Sequence, residues 1–181
     1  MSALVDGAIG RAGLAPVLEA RRAGAMNAEH VELLRRADLL VLGALADRVR
    51  AEEVGDEVRI FTSPPSGDDG ACIIPAEGHE LNGLELLREV AMARLTGPRG
   101  VRVRVDWSRC GLEIAQVALG FGASELVGRI ANKRGLPLAE GEVLGVGKRS
   151  RLELAELVKR RELEGFVRRA GRTPAFAPEA G

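Results

Sequence analysis

"VRVRVDWSRCGLEIAQVALGFGASELVG", residues 101–128, is the stretch whose reading decides the fold. Its opening "VRVRVDW" alternates apolar and charged residues, the period of a strand with one buried face. Ile114, Val117, Ala118 and Phe121 then recur at helical spacing. That helix opens at Ser108 or Cys110 and is closed by Gly120 and Gly122. "ELVGRI", from Glu125, reads as a second strand. Strand, helix and strand in this order form a βαβ unit. Such a unit favours parallel pairing with a right-handed crossover.

The same pattern extends to both sides. "EVRIFTS" (57–63) alternates Val58, Ile60 and Thr62 against polar neighbours and reads as a strand. "PPSGDDG" (64–70) is the strongest loop signal, and "ACIIP" (71–75) is a short buried strand ended by Pro75. Asn82 caps a helix carrying Leu84, Leu87, Val90, Ala91 and Leu95, which Gly97-Pro98 ends. Upstream, residues 2–24 read as one or two short helices, with Pro16 starting the second. Asn27 caps the next helix and places His30 on its surface. Asp38 is either a second cap or a polar point in a longer helix, which Gly55 stops. Downstream, "GEVLGVGK" (141–148) is a strand or a glycine-rich loop, and 150–170 is helical until Gly171 and Pro174.

The expected fold class is α/β: a partial, open, barrel-like sheet of four to five mostly parallel strands, with an N-terminal helical segment and a C-terminal helix. The expected divisions are a helical segment at 1–55, an α/β core at 56–148, the C-terminal helix at 149–174 and a flexible tail at 175–181. A closed eight-stranded barrel takes about 200 residues or more. With its first quarter helical, a chain of 181 residues is too short to close one alone.

Composition narrows the function classes. Aromatic residues are 3% of the chain and tyrosine is absent, so the core must be aliphatic and stacking platforms for single-stranded nucleic acid are few. Lys plus Arg equals Asp plus Glu, 26 each, so no net field favours nucleic acid or an anionic membrane. The longest apolar runs, such as "LLVLGALA" (39–46), are far short of a bilayer span. Only two cysteines, Cys72 and Cys110, argue against a disulfide scaffold and for a reduced, cytoplasmic protein. Neither nucleic acid nor membrane is an expected partner.

Several separated stretches resemble one family. "ADLLVLGALADRVR" (37–50) resembles the N-terminal helix of the radical-SAM enzymes of the futalosine route to menaquinone. That group holds aminofutalosine synthase and dehypoxanthine futalosine cyclase, with the deazaflavin synthases as cousins. "LLREVAMARL" (86–95), "VRVDW" (103–107) and "GLEIAQVALGFGA" (111–123) are similar to its late barrel units. "RRELEGFVRRAGRTP" (160–174) is similar to its C-terminal helix and tail. The order of the pieces is the family's own, over roughly half the chain.

The departures bear on chemistry. The family carries a C-x3-C-x2-C motif after its first strand, whose thiolates hold a four-iron cluster that binds S-adenosylmethionine. Here that strand runs into "SPPSGDDGACIIPAEGHE", with Cys72 alone, and the next cysteine is Cys110. Two distant cysteines cannot hold three corners of a cluster and leave one iron open. Neither an iron–sulfur cluster nor S-adenosylmethionine is therefore expected. The family's middle barrel units have no counterpart here. Its late acidic turn keeps Gly122 and Ala123, but the acidic pair becomes Ser124 and Glu125, and Arg129, Ala131 and Asn132 follow.

Other candidate sites are weaker. "GEVLGVGKRS" fails the phosphate-loop pattern twice, with Glu142 for the first glycine and Arg149 after the lysine. A looser anion site from Gly145, Gly147, Lys148 and Arg149 remains open. Cys72, His79 and Asp68-Asp69 match no common zinc spacing; a buried strand cysteine beside a solvated loop is the simpler reading. Cys110 either has a lowered pKa beside a helix start or packs inward. The basic run at 148–172 alternates with glutamates and reads as an ion-paired helix.

Ligands of α/β sheets gather at the carboxyl ends of strands. A pocket there would include Asp106, Trp107, Gln116 and Glu125, although Asp106 also suits a helix cap. No catalytic residue and no metal ligand is assigned. The expected function is a non-catalytic, radical-SAM-like binding or accessory protein. Its partner would be a second copy or a full-length radical-SAM enzyme of the menaquinone pathway. The alternative is a small ligand-binding module or enzyme using the pocket around Asp106.

Overall fold

The computed structural model describes residues 3–63, 65, 69–76, 81–128 and 160–177. Four helices come first: α1 (Ala3–Arg11), α2 (Ala15–Ala23), α3 (Ala28–Arg36) and α4 (Leu39–Val54). Local chemistry sets their ends. Pro16 lies in the first turn of α2, where its missing N–H costs nothing. The Asn27 side chain accepts the His30 amide at 3.0 Å, and the His30 ring accepts the Asn27 amide in return, which holds His30 on the exposed start of α3. Asp38 accepts the amides of Leu40 and Val41, so it is a cap and α3 and α4 are separate helices.

The α/β part follows as β1 (Glu57–Phe61), β2 (Cys72–Ile74), α5 (Gly83–Thr96), β3 (Val103–Asp106), α6 (Trp107–Cys110), α7 (Leu112–Ala118), a 3-10 turn (Leu119–Phe121) and β4 (Glu125–Val127). Residues 160–169 are helical (α8), and β5 is Thr173–Phe176. The five strands form one open sheet in the order β2-β3-β4-β1-β5, and every pair is parallel. The chain is thus an α/β protein with an open parallel sheet.

Two local expectations are corrected. The helix after β3 starts at Trp107 rather than at Ser108 or Cys110, and Gly111, at φ 84, breaks it into α6 and α7. The segment around Pro174, read as the end of structure before a flexible tail, is strand β5 beside β1. Thr173 and Ala177 donate to the carbonyls of Asp56 and Ile60, so alternate amides of β5 face β1. Pro174 falls on the other side of the strand, where its missing donor breaks no bond of this ladder. The possible strand at 141–148 lies outside the described residues.

The sheet has two unlike faces, because alternate side chains point opposite ways. Val58, Ile60, Val103, Val105 and Leu126 are buried on one face. They share a single apolar cluster with Leu42, Leu45 and Val49 of α4, Val90 of α5, Ala115 of α7 and Val167 of α8. The opposite face carries Arg59, Phe61, Ile73, Arg104, Asp106, Glu125 and Val127, none of which belongs to that cluster. Close helix packing needs small residues: a Cβ on Gly43 of α4 would lie 2.6 Å from the Phe121 ring. No described helix is long and apolar enough to cross a membrane.

Candidate functional site

The sheet register brings three charged side chains into one row on the polar face. Arg59 of β1 and Arg104 of β3 both stand opposite Glu125 of β4. Glu125 Oε2 accepts Arg104 Nε at 2.9 Å and Arg104 Nη2 at 2.5 Å. Its Oε1 accepts Arg59 Nη1 at 3.2 Å and lies 3.6 Å from Arg102 Nη1. Asp69, just before β2, accepts Arg104 Nη2 at 2.6 Å and Arg102 Nη1 at 3.3 Å. The Asp69 carbonyl also accepts Arg102 Nη2. The Phe61 ring lies 4.3 Å from the Arg104 guanidinium and 5.1 Å from that of Arg59.

Burial divides this network. Arg104 and Glu125 are each 1% exposed, whereas Arg59 is 42% and Arg102 33% exposed. Burial alone would lower the Arg104 pKa, but its bonds to Asp69 and Glu125 outweigh that and raise it. Asp69 is held down at about 2, first by its hydrogen bond from Arg104. A buried ion pair with both oxygens of its carboxylate hydrogen-bonded is a rigid element.

The depressed carboxylates predict the acid response. Asp69 sits at about 2 in the fold. Glu52, bonded first by Arg22 and then by Arg48, also sits at about 2. Both return to about 4 on unfolding. Each stabilises the fold above that range, and the contribution is lost as pH falls toward the folded values. Urea midpoints should hold steady from pH 7 to about 5 and decline between about pH 4.5 and 2. A flat profile through that window would refute the assignment.

The expected pocket residues are not all brought together. Asp106 lies on the polar face at the carboxyl end of β3, but its carboxylate accepts the Ser108 amide at 2.8 Å and caps α6. Trp107 begins α6 and packs over Gly128, where a Cβ would come within 2.4 Å of the indole. Gln116 points to the helical side, donating to the Phe166 carbonyl at 2.8 Å and tying α7 to α8. Glu125 lies one row deeper than Asp106, inside the arginine network. Gly145, Gly147, Lys148 and Arg149, and likewise Asp68 and His79, lie outside the described residues.

Both thiols are biased toward the protonated form. Burial pushes Cys72 up, and burial followed by the neighbouring Asp106 charge pushes Cys110 up to about 11. Cys110 ends α6 with its thiol donating to the Asp106 carbonyl at 3.2 Å, so the inward-packing reading holds over the lowered pKa. Among the described residues no group of three or more His, Cys, Asp or Glu is placed to hold a metal ion.

Sequence reasoning missed Arg59, Arg102, Arg104, Phe61 and Asp69 as a unit. Their only signal was the charged half of two alternating strands, ordinarily a solvent-facing half. Ser124 has a related role, its Oγ accepting Arg94 Nη2 at 3.0 Å and the Val103 amide at 3.2 Å. No protein-family model, curated protein or solved structure matches the chain.

Proposed function

We propose that the chain is a non-catalytic, radical-SAM-like binding protein, an accessory to the menaquinone enzymes it resembles. The observation that carries this reading is the fate of Ser124 and Glu125. These residues stand where the resembled turn has its acidic pair, and both are engaged inside the chain. Ser124 is held by Arg94 and the Val103 amide, and Glu125 by Arg104, Arg59 and Arg102. Side chains so engaged are not free to take up a cofactor or substrate.

The donor set supports the same reading. A radical-SAM cluster needs three thiolates on one short loop. Cys72 here opens β2, Cys110 ends α6, and both thiols are biased toward the protonated form. The residues present do not fit such a cluster. The open sheet suits association instead. Among the described residues β2 and β5 each pair on one side only, and a sheet edge is a template for another chain. A second copy or a full-length pathway enzyme is the proposed partner. The alternative pocket around Asp106 has less support, because Asp106 is engaged by α6 and Gln116 by α8.

Anaerobic reconstitution with iron and sulfide tests the proposal. The expected result is no stoichiometric cluster after desalting. Four irons per chain, with reductive cleavage of S-adenosylmethionine, would overturn it.

A further inference from the structure

We propose that the arginine face is an oxyanion site that takes a phosphate group through Arg59 and Arg102. This rests on the binding reading above and names the ligand class of the same face. The five groups in mutual contact are three guanidinium cations and two carboxylates, which leaves one positive charge over. Arg104 is not the source of that surplus, because all its terminal nitrogens are directed at Asp69 and Glu125. The spare donors lie chiefly on Arg59, since Arg102 directs Nη1 and Nη2 at Asp69 and offers its Nε and its partly open surface. Arg59 uses only Nη1 on Glu125, and among the described residues its Nε and Nη2 have no acceptor.

The outer pair is also held in place. Arg59 and Arg102 converge on one oxygen, Glu125 Oε1, at 3.2 and 3.6 Å, so one small anion can reach both guanidinium groups. Arg59 rests against the Phe61 ring as well, and Arg102 is tied to Asp69. A fork already oriented loses less entropy when it receives an oxyanion. Both side chains keep a third or more of their surface open, unlike the buried pair beneath them. A tetrahedral phosphate presents several acceptor oxygens to the Arg59 fork and the adjoining Arg102 cation, whereas a single carboxylate presents two. The nearby Asp106 carboxylate is turned to the first turn of α6.

Titration with inorganic phosphate at constant ionic strength, followed by 31P line broadening and calorimetry, tests the inference on the full chain. Saturable binding is expected, with succinate weaker. Arg59→Gln and Arg102→Gln should each weaken it by about tenfold or more. Arg59→Lys, which keeps the charge but not the fork, should fall between. Circular dichroism checks each variant's fold; a variant that fails to fold leaves the other two to decide the matter. No saturable binding, stronger binding of succinate, or equal binding by wild type and the folded variants (an adventitious ion only) would overturn the inference. The readouts separate the two proposals. A four-iron cluster removes the non-catalytic reading whatever phosphate does, and a failed titration without a cluster removes only the phosphate site.

Discussion

Glu125→Leu should lower the unfolding free energy by about 3 kcal/mol, near the lower end of the cost of breaking a buried ion pair. The substitution leaves Arg104, 1% exposed, with Asp69 as its remaining carboxylate partner. Arg59 and Arg102 would also lose the oxygen on which they converge. Arg104→Met should cost a similar amount, because Glu125 would stay buried and keep only its two longer contacts, at 3.2 and 3.6 Å. The double variant is the decisive one. Replacing both charges by apolar side chains removes the desolvation penalty together with the attraction, so most of the loss should be recovered. Urea unfolding of the four proteins gives the coupling energy directly. Additive costs, or single variants within about 0.5 kcal/mol of wild type, would show that the pair is not buried as described.

The architecture was legible wherever one local signal decided it. Asn27 and Asn82 mark helix starts because their side chains have a single local task, accepting amides of the next turn, whereas Asp38 fitted a cap or a mid-helix position equally until the fold showed it to be a cap. The apolar half of "VRVRVDW" was equally plain, since Val103 and Val105 have no exposed surface. The strand order was not legible. β1 and β2 follow one another in sequence, yet β3 and β4 lie between them in the sheet. No periodicity in a strand states its neighbour.

That gap also hid the arginine network. The opposition of Arg104, Glu125 and Arg59 depends on the register of three strands. Read one strand at a time, each of these residues looks like an ordinary exposed charge. Glu125 was singled out at its turn, but its ion-pair partners were not, because they come from strands more than twenty and more than sixty residues earlier. Pro174 misled for a geometric reason. A proline stops a helix anywhere, but in a strand it matters only on the side that must donate.

Arg94→Leu should cost about 3–5 kcal/mol. Arg94 lies on α5 with no exposed surface, and burial draws its pKa down to about 10, still protonated at neutrality. Its acceptors are three uncharged groups: the Gly122 carbonyl at 2.9 Å, Ser124 Oγ at 3.0 Å and the Val101 carbonyl. These groups lie at the two ends of the unit that runs from β3 to β4. One guanidinium thus fixes where β3 begins and where the turn into β4 ends. The adjoining glycine makes that approach possible: Gly122 has φ 100, and a Cβ there would lie 3.0 Å from the Arg94 side chain. Leucine can fill part of the volume but takes this donor from the Gly122 and Val101 carbonyls, at about 1–3 kcal/mol each, while Ser124 Oγ keeps the Val103 amide. Arg94→Lys should recover only part of the loss, since one ammonium cannot span acceptors set for a planar fork. For a domain of this size the leucine variant should melt about 6–20 °C below wild type. A shift of a degree or two, or a lysine variant as stable as wild type, would mean that the strand unit holds its geometry without this side chain.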